Sequence, residues 1–153
     1  MNDFPALRTL HVRHSGLTEA ICRAYAEAEL VLSWDVPDER VRRAWANHID
    51  AVEMGAYALA IGTVEVIHGW FAIARAETLT GADYYVGPPG VDLETAYRLE
   101  VSGTNSRDDT ELGERLSRKL RQIRAGHSPL PGLACVVGFA MGLILVSDLE
   151  RPQ

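Results

Sequence analysis

Two acidic residues and one lysine carry the chemistry that this sequence suggests. Asp83 lies in the segment GADYYVG and Glu100 in YRLEVSG, and both segments have the aromatic and β-branched composition of strands. Lys119 is the only lysine of the 153-residue chain and lies in the apolar stripe of a predicted helix. A charge away from water is costly unless it has a partner or a chemical task. We therefore take these three residues as candidate catalytic residues.

Carboxylates from neighbouring strands are suitable ligands for Mg²⁺. This hard ion prefers oxygen ligands, keeps several waters and accepts a phosphate oxygen of a substrate. Asp83, Glu100 and the carbonyl of Val101 are the oxygen ligands that these strands offer. A bound ion lowers the pKa of its water and offsets charge on a phosphate, and Lys119 would orient that water or stabilise the leaving group. Phosphodiester hydrolysis requires an activated water and stabilisation of the negative charge on the phosphate.

Each of the three residues also has a purely structural interpretation. Asp83 suits a cap of the turn after Gly81, because Asp favours such positions. Glu100 suits a cross-strand pair with an arginine such as Arg75. Lys119 suits a side chain that extends past apolar neighbours to reach water. The sequence leaves these alternatives open, and convergence of all three residues would favour the catalytic interpretation.

Helices are predicted for the first part of the chain. Apolar residues recur at helical spacing over 17–33, which predicts an amphipathic N-terminal helix. A long helix is predicted over 37–67, because Pro37 suits the first helical position and the acidic residues after it favour the positive end. His48 belongs to its apolar stripe, and we interpret it as a packed core histidine. The N-terminal helix also suits contact with a second copy or another protein.

The remainder of the chain, 70–147, predicts a sheet with one helix. Strands are expected at WFAIARA, DYYVG, ETAYRLEVSG, LACVVGFA and GLILV. In the third strand Glu100 and Ser102 share a face. A helix over 111–125 follows, and its apolar stripe turns Lys119 towards the sheet. The predicted fold class is α/β, with one domain over 1–153 and a mixed sheet of about five strands flanked by helices.

The charge distribution limits nucleic-acid binding to a local site. A net charge of −6 argues against a surface built for non-specific binding to nucleic acid. The segment 115–124 is an exception, because it contains five cations and no anion. Arg115, Arg118 and Arg121 are therefore candidate contacts to a nucleic-acid backbone. The alternative is a solvated helix end that is stabilised by its positive charges.

The cysteine spacing and the apolar runs of the sequence give an expectation for the cellular location of the protein. Cys22 and Cys135 have neither disulfide-framework nor metal-ligand spacing, which favours a reducing environment. The first residues lack the apolar core of a signal peptide. The apolar runs over 54–74 and 128–147 are interrupted by charged residues or by prolines and glycines, so buried strands are preferred to membrane spans. We expect a cytoplasmic protein without a membrane partner.

The order of the predicted elements and the two acids resemble the PD-(D/E)XK nuclease superfamily. Its restriction-endonuclease-like fold places an aspartate on one strand and Glu-x-Lys on the next. The resemblance covers roughly residues 50–147. It implies that Asp83 and Glu100 are metal ligands and that Glu53 matches the acidic residue that many members keep on the preceding helix. The N-terminal helix would be an addition to that fold.

The chain departs from the family motif at its third position. Ser102 stands where the family usually has lysine, and it cannot supply the positive charge. Some members relocate that cation to the neighbouring helix, where Lys119 stands, and Gln122 resembles a polar residue often found there. The resemblance implies a Mg²⁺-dependent nuclease. The alternative is a catalytically inactive module of the same fold that serves as a binding or regulatory subunit of a larger assembly.

Overall fold

Seven strands and three helices follow one another in the computed structural model, which describes residues 7–15, 27–77 and 82–149. In chain order they are β1 Leu7–Ser15, β2 Glu27–Ser33, α1 Glu39–Ala44, α2 His48–His68, β3 Phe71–Arg75, β4 Tyr84–Gly87, β5 Tyr97–Thr104, α3 Asp109–Ala125, β6 Gly132–Gly138 and β7 Leu143–Leu149. The α/β class is confirmed, whereas the expected count of about five strands was too low. None of these helices combines the length and the apolar character needed to cross a lipid bilayer.

The seven strands form one mixed sheet in the order β2-β1-β7-β6-β5-β4-β3. Two neighbouring pairs are parallel, β1 with β7 and β5 with β6, and the other pairs are antiparallel. Strand β5, which carries Glu100, therefore lies inside the sheet between β4 and β6. The five predicted strands of the C-terminal part and the helix α3 all occur where their sequence patterns indicate.

Helices α2 and α3 cover opposite faces of the sheet. Leu133 and Cys135 of β6 belong to the core beneath α2, whereas Ala134 and Val136 belong to the core beneath α3. This division follows from the alternation of side chains along a strand. Cys135 is a free, buried cysteine. The residues of β5 alternate in the same way, so Glu100 and Ser102 point towards α3.

The absence of a side chain at Gly103 lets α2 approach β5 closely. A Cβ atom added there would lie 2.8 Å from the Cβ of Ala56 and 2.8 Å from the carbonyl oxygen of Val52. Atoms at that distance overlap, so a larger residue would push the helix away from the strand. The contact between α2 and β5 forms one wall of the pocket that contains the candidate site.

The prediction of an N-terminal helix over 17–33 was wrong for residues 27–33. These residues form strand β2, which pairs antiparallel with β1, and residues 16–26 lie outside the described part of the chain. Ala28, Leu30 and Leu32 alternate with more exposed residues and pack against the core. Burial of every second residue therefore favoured a strand over a helix in this segment.

The prediction of one helix over 37–67 was also wrong, because the helix is interrupted between α1 and α2. The side chain of Asn47 accepts hydrogen bonds from the backbone N–H groups of Ile49 and Asp50 and so begins a new helix. Asn is among the preferred residues at this position. His48 is consequently the first residue of α2, and it is exposed rather than packed in the core.

Candidate functional site

Lys119 and Glu100 form a short, largely buried ion pair. The Nζ of Lys119 lies 2.6 Å from Oε2 of Glu100, and their side chains are 22% and 9% exposed. Leu112, Leu116 and Ile123 bury one face of α3 against the sheet, which brings Lys119 over β5. The prediction that Lys119 faces the sheet is confirmed, and its ammonium, which also reaches the pocket, pairs with Glu100.

The environment of Glu100 favours its neutral form. Burial raises the pKa of its carboxyl, the hydrogen bond from Lys119 opposes this rise, and the negative charge of Asp83 adds to it. Arg75, the alternative partner of Glu100, has its guanidinium carbon 6.0 Å from the centre of the Tyr57 ring.

Asp83 lies immediately before β4, where the ladder with β5 ends. Its Oδ2 accepts a 2.7 Å hydrogen bond from the backbone N–H of Val101, and its own N–H donates to the carbonyl of Leu99 at 2.8 Å. Its Oδ1 lies 3.1 Å from the hydroxyl of Tyr57. The carboxylate is therefore fixed between β5 and α2. The turn residue Gly81, which the capping interpretation involved, lies outside the described residues.

Tyr57 lies between two acids and was missed by the sequence analysis. Its hydroxyl oxygen is 3.0 Å from Oε1 of Glu53 and 3.1 Å from Oδ1 of Asp83. Burial raises the pKa of Tyr57, and the charges of Asp83 and Glu53 raise it further, so the phenol keeps its proton. One hydroxyl proton serves only one acceptor at a time. The sequence signal that could have identified Tyr57 was its spacing of four residues from Glu53, which places both side chains on the same face of the helix.

These side chains meet at a pocket of about 480 Å³. Glu53, Tyr57, Asp83, Ser102 and Lys119 are among the residues that line it. Glu100 is 7% exposed and is connected to the pocket through its ion pair with Lys119. The structure thus brings together both strand acids, the lysine, the helix acid and the serine of the sequence prediction.

Ser102 interacts with the first of the predicted arginines. Its Oγ accepts a 3.5 Å contact from Nη1 of Arg115, whose guanidinium also pairs with Glu111 at 2.9 Å. Arg118 and Arg121 are exposed and line a separate groove on the outer side of α3. Gln122 is exposed and is not among the pocket residues. The structure therefore does not bring Gln122, Arg118 and Arg121 into the pocket.

His48 and Asn105 line the same pocket, and the sequence analysis assigned neither of them to a site. The Nδ2 of Asn105 lies 3.0 Å from Nε2 of His48. An amide nitrogen donates and does not accept, so Nε2 of His48 is the acceptor in this contact. No sequence signal links these residues, because they lie on different elements and only the approach of α2 to β5 joins them.

Asp83 and Glu100 are the carboxylates that could hold an ion that retains bound water. Among the described residues, no three side chains of the His, Cys, Asp and Glu types converge as a metal-binding group. Proteins nevertheless bind Mg²⁺ through one or two carboxylates, with water and substrate completing the shell. The negative charge of Asp83 raises the pKa of the Glu100 carboxyl, and the charge of a divalent cation beside these carboxylates would offset this effect. The contact with Lys119 uses Oε2 of Glu100, so Oε1 is the oxygen that remains for a cation.

No protein-family model matches the sequence, and no curated protein or solved structure is significantly similar to the chain. The function must therefore be inferred from the arrangement of the residues themselves.

Proposed function

We propose that the protein is a Mg²⁺-dependent nuclease that hydrolyses phosphodiester bonds of nucleic acids. The observation that carries this proposal is the position of Lys119, whose ammonium reaches the pocket from α3 and lies 2.6 Å from Glu100. The resemblance to the PD-(D/E)XK superfamily implies this arrangement for members in which the motif lysine is relocated. Ser102 at the motif position is then compatible with activity.

The order of the elements supports the same proposal. From α2 to β6 the chain runs helix, three strands, helix, strand, with the two acids beside the antiparallel pair β4 and β5. Strand β5 then runs parallel to β6, with α3 as the crossover. We propose on this basis that the fold is restriction-endonuclease-like, with β1, β2 and β7 extending the sheet.

Each residue of the pocket has a defined role in this proposal. Asp83 and Glu100 would hold the ion together with the carbonyl of Val101, and Tyr57 fixes the carboxylate of Asp83. When bound, Mg²⁺ supplies an acidified water and offsets charge on the phosphate. An ammonium has three N–H donors, so Lys119 can bind Glu100 and still orient the water or a phosphate oxygen. Glu53 lines the pocket and would supply a further negative charge beside the ion.

Metal binding and cleavage test the proposal together. We expect the purified protein to bind Mn²⁺ in calorimetry and to cleave fluorescent DNA or RNA in Mg²⁺. Asp83→Asn and Glu100→Gln should each lower the cleavage rate at least about 100-fold and weaken Mn²⁺ binding. Glu114→Gln, on the exposed side of α3, is the matched control and should change neither quantity. A wild-type protein that neither binds Mn²⁺ nor cleaves nucleic acid would overturn the proposal.

The second candidate is a catalytically inactive module of the same fold. The observation that favours it is again the ion pair, because Lys119 already balances the charge of Glu100 without a metal. Such a module would bind nucleic acid or a protein partner, or form a homodimer, without hydrolysis. Intact binding of nucleic acid without cleavage would favour this candidate. A cytoplasmic location belongs to both candidates and is supported by the free thiol of Cys135.

A further inference from the structure

His14 places an imidazole ring on the face of the sheet that α2 covers. It follows Leu10 and Val12 at every second position of β1, and those two residues belong to the core beneath α2. Both nitrogens of the ring are buried, and among the described residues neither has a hydrogen-bond partner. Buried polar atoms without a partner are rare and costly, so this ring calls for an explanation.

The ring of His14 contacts the end of α2. Its centre lies 5.6 Å from the centre of the His68 ring, and the two rings are perpendicular. His68 is the last residue of α2, and its ring centre lies 5.1 Å from that of Trp70. Trp70 in turn lies 4.4 Å from the ring of Tyr97 on β5. A row of rings thus connects β1, the end of α2 and β5.

The surroundings of His14 favour its neutral form. Burial and, to a smaller extent, the charge of His68 lower the pKa of His14 from its usual 6.5 to about 4. On β7, Val146 lies opposite His14, and Asp148 follows two residues later. None of the described carboxylates is among the groups that shift the pKa of His14. A positive charge on this ring would therefore be buried without a counter-charge.

The charged residues next to His14 on the strands belong to the other face. Arg13 alternates with His14 along β1, and its guanidinium lies 3.6 Å from the carboxylate of Asp109 at the start of α3. Glu27 of β2 lies opposite Arg13 and is exposed. These charges are consequently directed away from the contact between His14 and His68.

We infer that the contact between His14 and His68 is an acid-sensitive latch that holds β1 against the end of α2. The latch is closed while the imidazole of His14 is neutral. Protonation adds a second N–H donor and a positive charge, and both would be buried without a partner among the described residues. The protonated ring must therefore reach water, which requires β1 and the end of α2 to separate. The inference is independent of the proposed function, because none of the described residues that line the candidate pocket belongs to this row of rings.

The latch loses its stability over a defined pH range. A histidine of the unfolded chain binds a proton near pH 6.5, whereas His14 in the closed latch binds one only near pH 4. The contribution of His14 to stability is therefore complete above pH 6.5 and is lost as the pH falls towards 4. With these two pKa values, the proton on His14 increases the unfolding equilibrium constant about 20-fold between pH 7 and pH 5.

His14→Phe tests the latch, because it keeps an aromatic ring beside His68 and removes the titrating group. Urea denaturation at pH 7 and at pH 5 gives the ratio of the unfolding constants of wild type and variant. We expect this ratio to rise about 20-fold as the pH falls from 7 to 5. The matched control is His127→Phe at an exposed position beyond α3, for which the ratio should change less than about twofold. A ratio for His14→Phe that changes no more than that of the control would overturn the inference.

An NMR titration of the wild-type protein gives a second test that needs no variant. The imidazole C–H signals of His14, assigned through their proximity to His68, should titrate below about pH 5. The indole signals of Trp70 should shift over the same pH range, because separation of β1 from α2 changes the surroundings of the His68 ring beside it. Titration of His14 near pH 6.5 in the folded protein, or unchanged Trp70 signals while His14 titrates, would overturn the inference.

Discussion

At the scale of single residues, the site is organised around one buried cation. Lys119 was identifiable from the sequence because it is the only lysine and lies beside Leu112 in the helical projection. Its partner was not identifiable, since Arg75 was an equally reasonable neighbour for Glu100. Only the packing of α3 on β5 decides that the carboxylate pairs with the lysine.

The first prediction concerns the stability that this pair contributes. Lys119→Met should lower the free energy of unfolding by about 2 kcal/mol at neutral pH, because Glu100 would stay buried without its cation. Urea denaturation measures the change. Arg118→Met replaces an exposed cation of the same helix and should cost less than about 0.5 kcal/mol. Equal losses in the two variants would contradict the role assigned to the pair.

The second prediction concerns the pH dependence of that loss. Folding raises the pKa of the Glu100 carboxyl. The contribution of this group to stability is therefore complete below its unfolded pKa of about 4.3 and is lost as the pH rises through its folded pKa. Removing Lys119 removes a hydrogen bond that lowers this pKa, so the folded pKa rises further. The difference in unfolding free energy between wild type and Lys119→Met should therefore be smaller near pH 4 than near pH 7. A difference that does not change with pH would show that Glu100 is not its source.

At the scale of elements, the site depends on how closely α2 approaches β5. Tyr57 reaches Asp83, and His48 reaches Asn105, only because Gly103 leaves room for the helix. The sequence predicted both elements but not their contact, because a glycine inside a strand has several interpretations. The break between α1 and α2 was also missed, since the apolar stripe continues across it and only the capping by Asn47 marks the new start.

The third prediction tests this approach. Gly103→Ala should destabilise the protein by about 2 kcal/mol, because the new methyl group would overlap Ala56 and the backbone of Val52. Gly113→Ala is the matched control in α3, where an added Cβ meets open space, and it should stabilise by about 0.5 kcal/mol through its helix propensity. Thermal denaturation of both variants measures the effects. A Gly103→Ala protein as stable as wild type would contradict the described packing.

At the scale of the whole molecule, the C-terminal half, from β3 to β7, could be predicted and the N-terminal part could not. The strands from β3 to β7 have compositions and turns that are typical of strands. Residues 27–33 fit two structures, because Ala28 and Leu32 satisfy a helical spacing while Ala28, Leu30 and Leu32 satisfy that of a strand. The pairing of residues 27–33 with β1 decided between the two structures, and β1 in turn pairs with β7 from the other end of the chain. No local sequence pattern encodes such a long-range contact.

The residues of the candidate site also differ in whether the sequence alone could identify them. Asp83, Glu100 and Lys119 were predicted because a lone lysine and two acids on strands are unusual in themselves. Tyr57 and His48 are ordinary residues of a helix, and their importance comes from the residues that the fold places opposite them. Residue type thus indicated the acids and the lysine of the site, and only the three-dimensional arrangement indicated Tyr57 and His48.

The burial of Cys135 gives the protein an internal reporter of complete unfolding. Burial raises the pKa of this thiol to about 12, and thiol reagents attack the thiolate. Strand β6 pairs on both sides, so a reagent reaches the sulfur only when the sheet opens. With Cys22→Ser leaving a single thiol, Ellman's reagent should label the native protein at least about 1,000-fold more slowly than the urea-unfolded chain. Labelling at similar rates would show that the centre of the sheet opens without global unfolding.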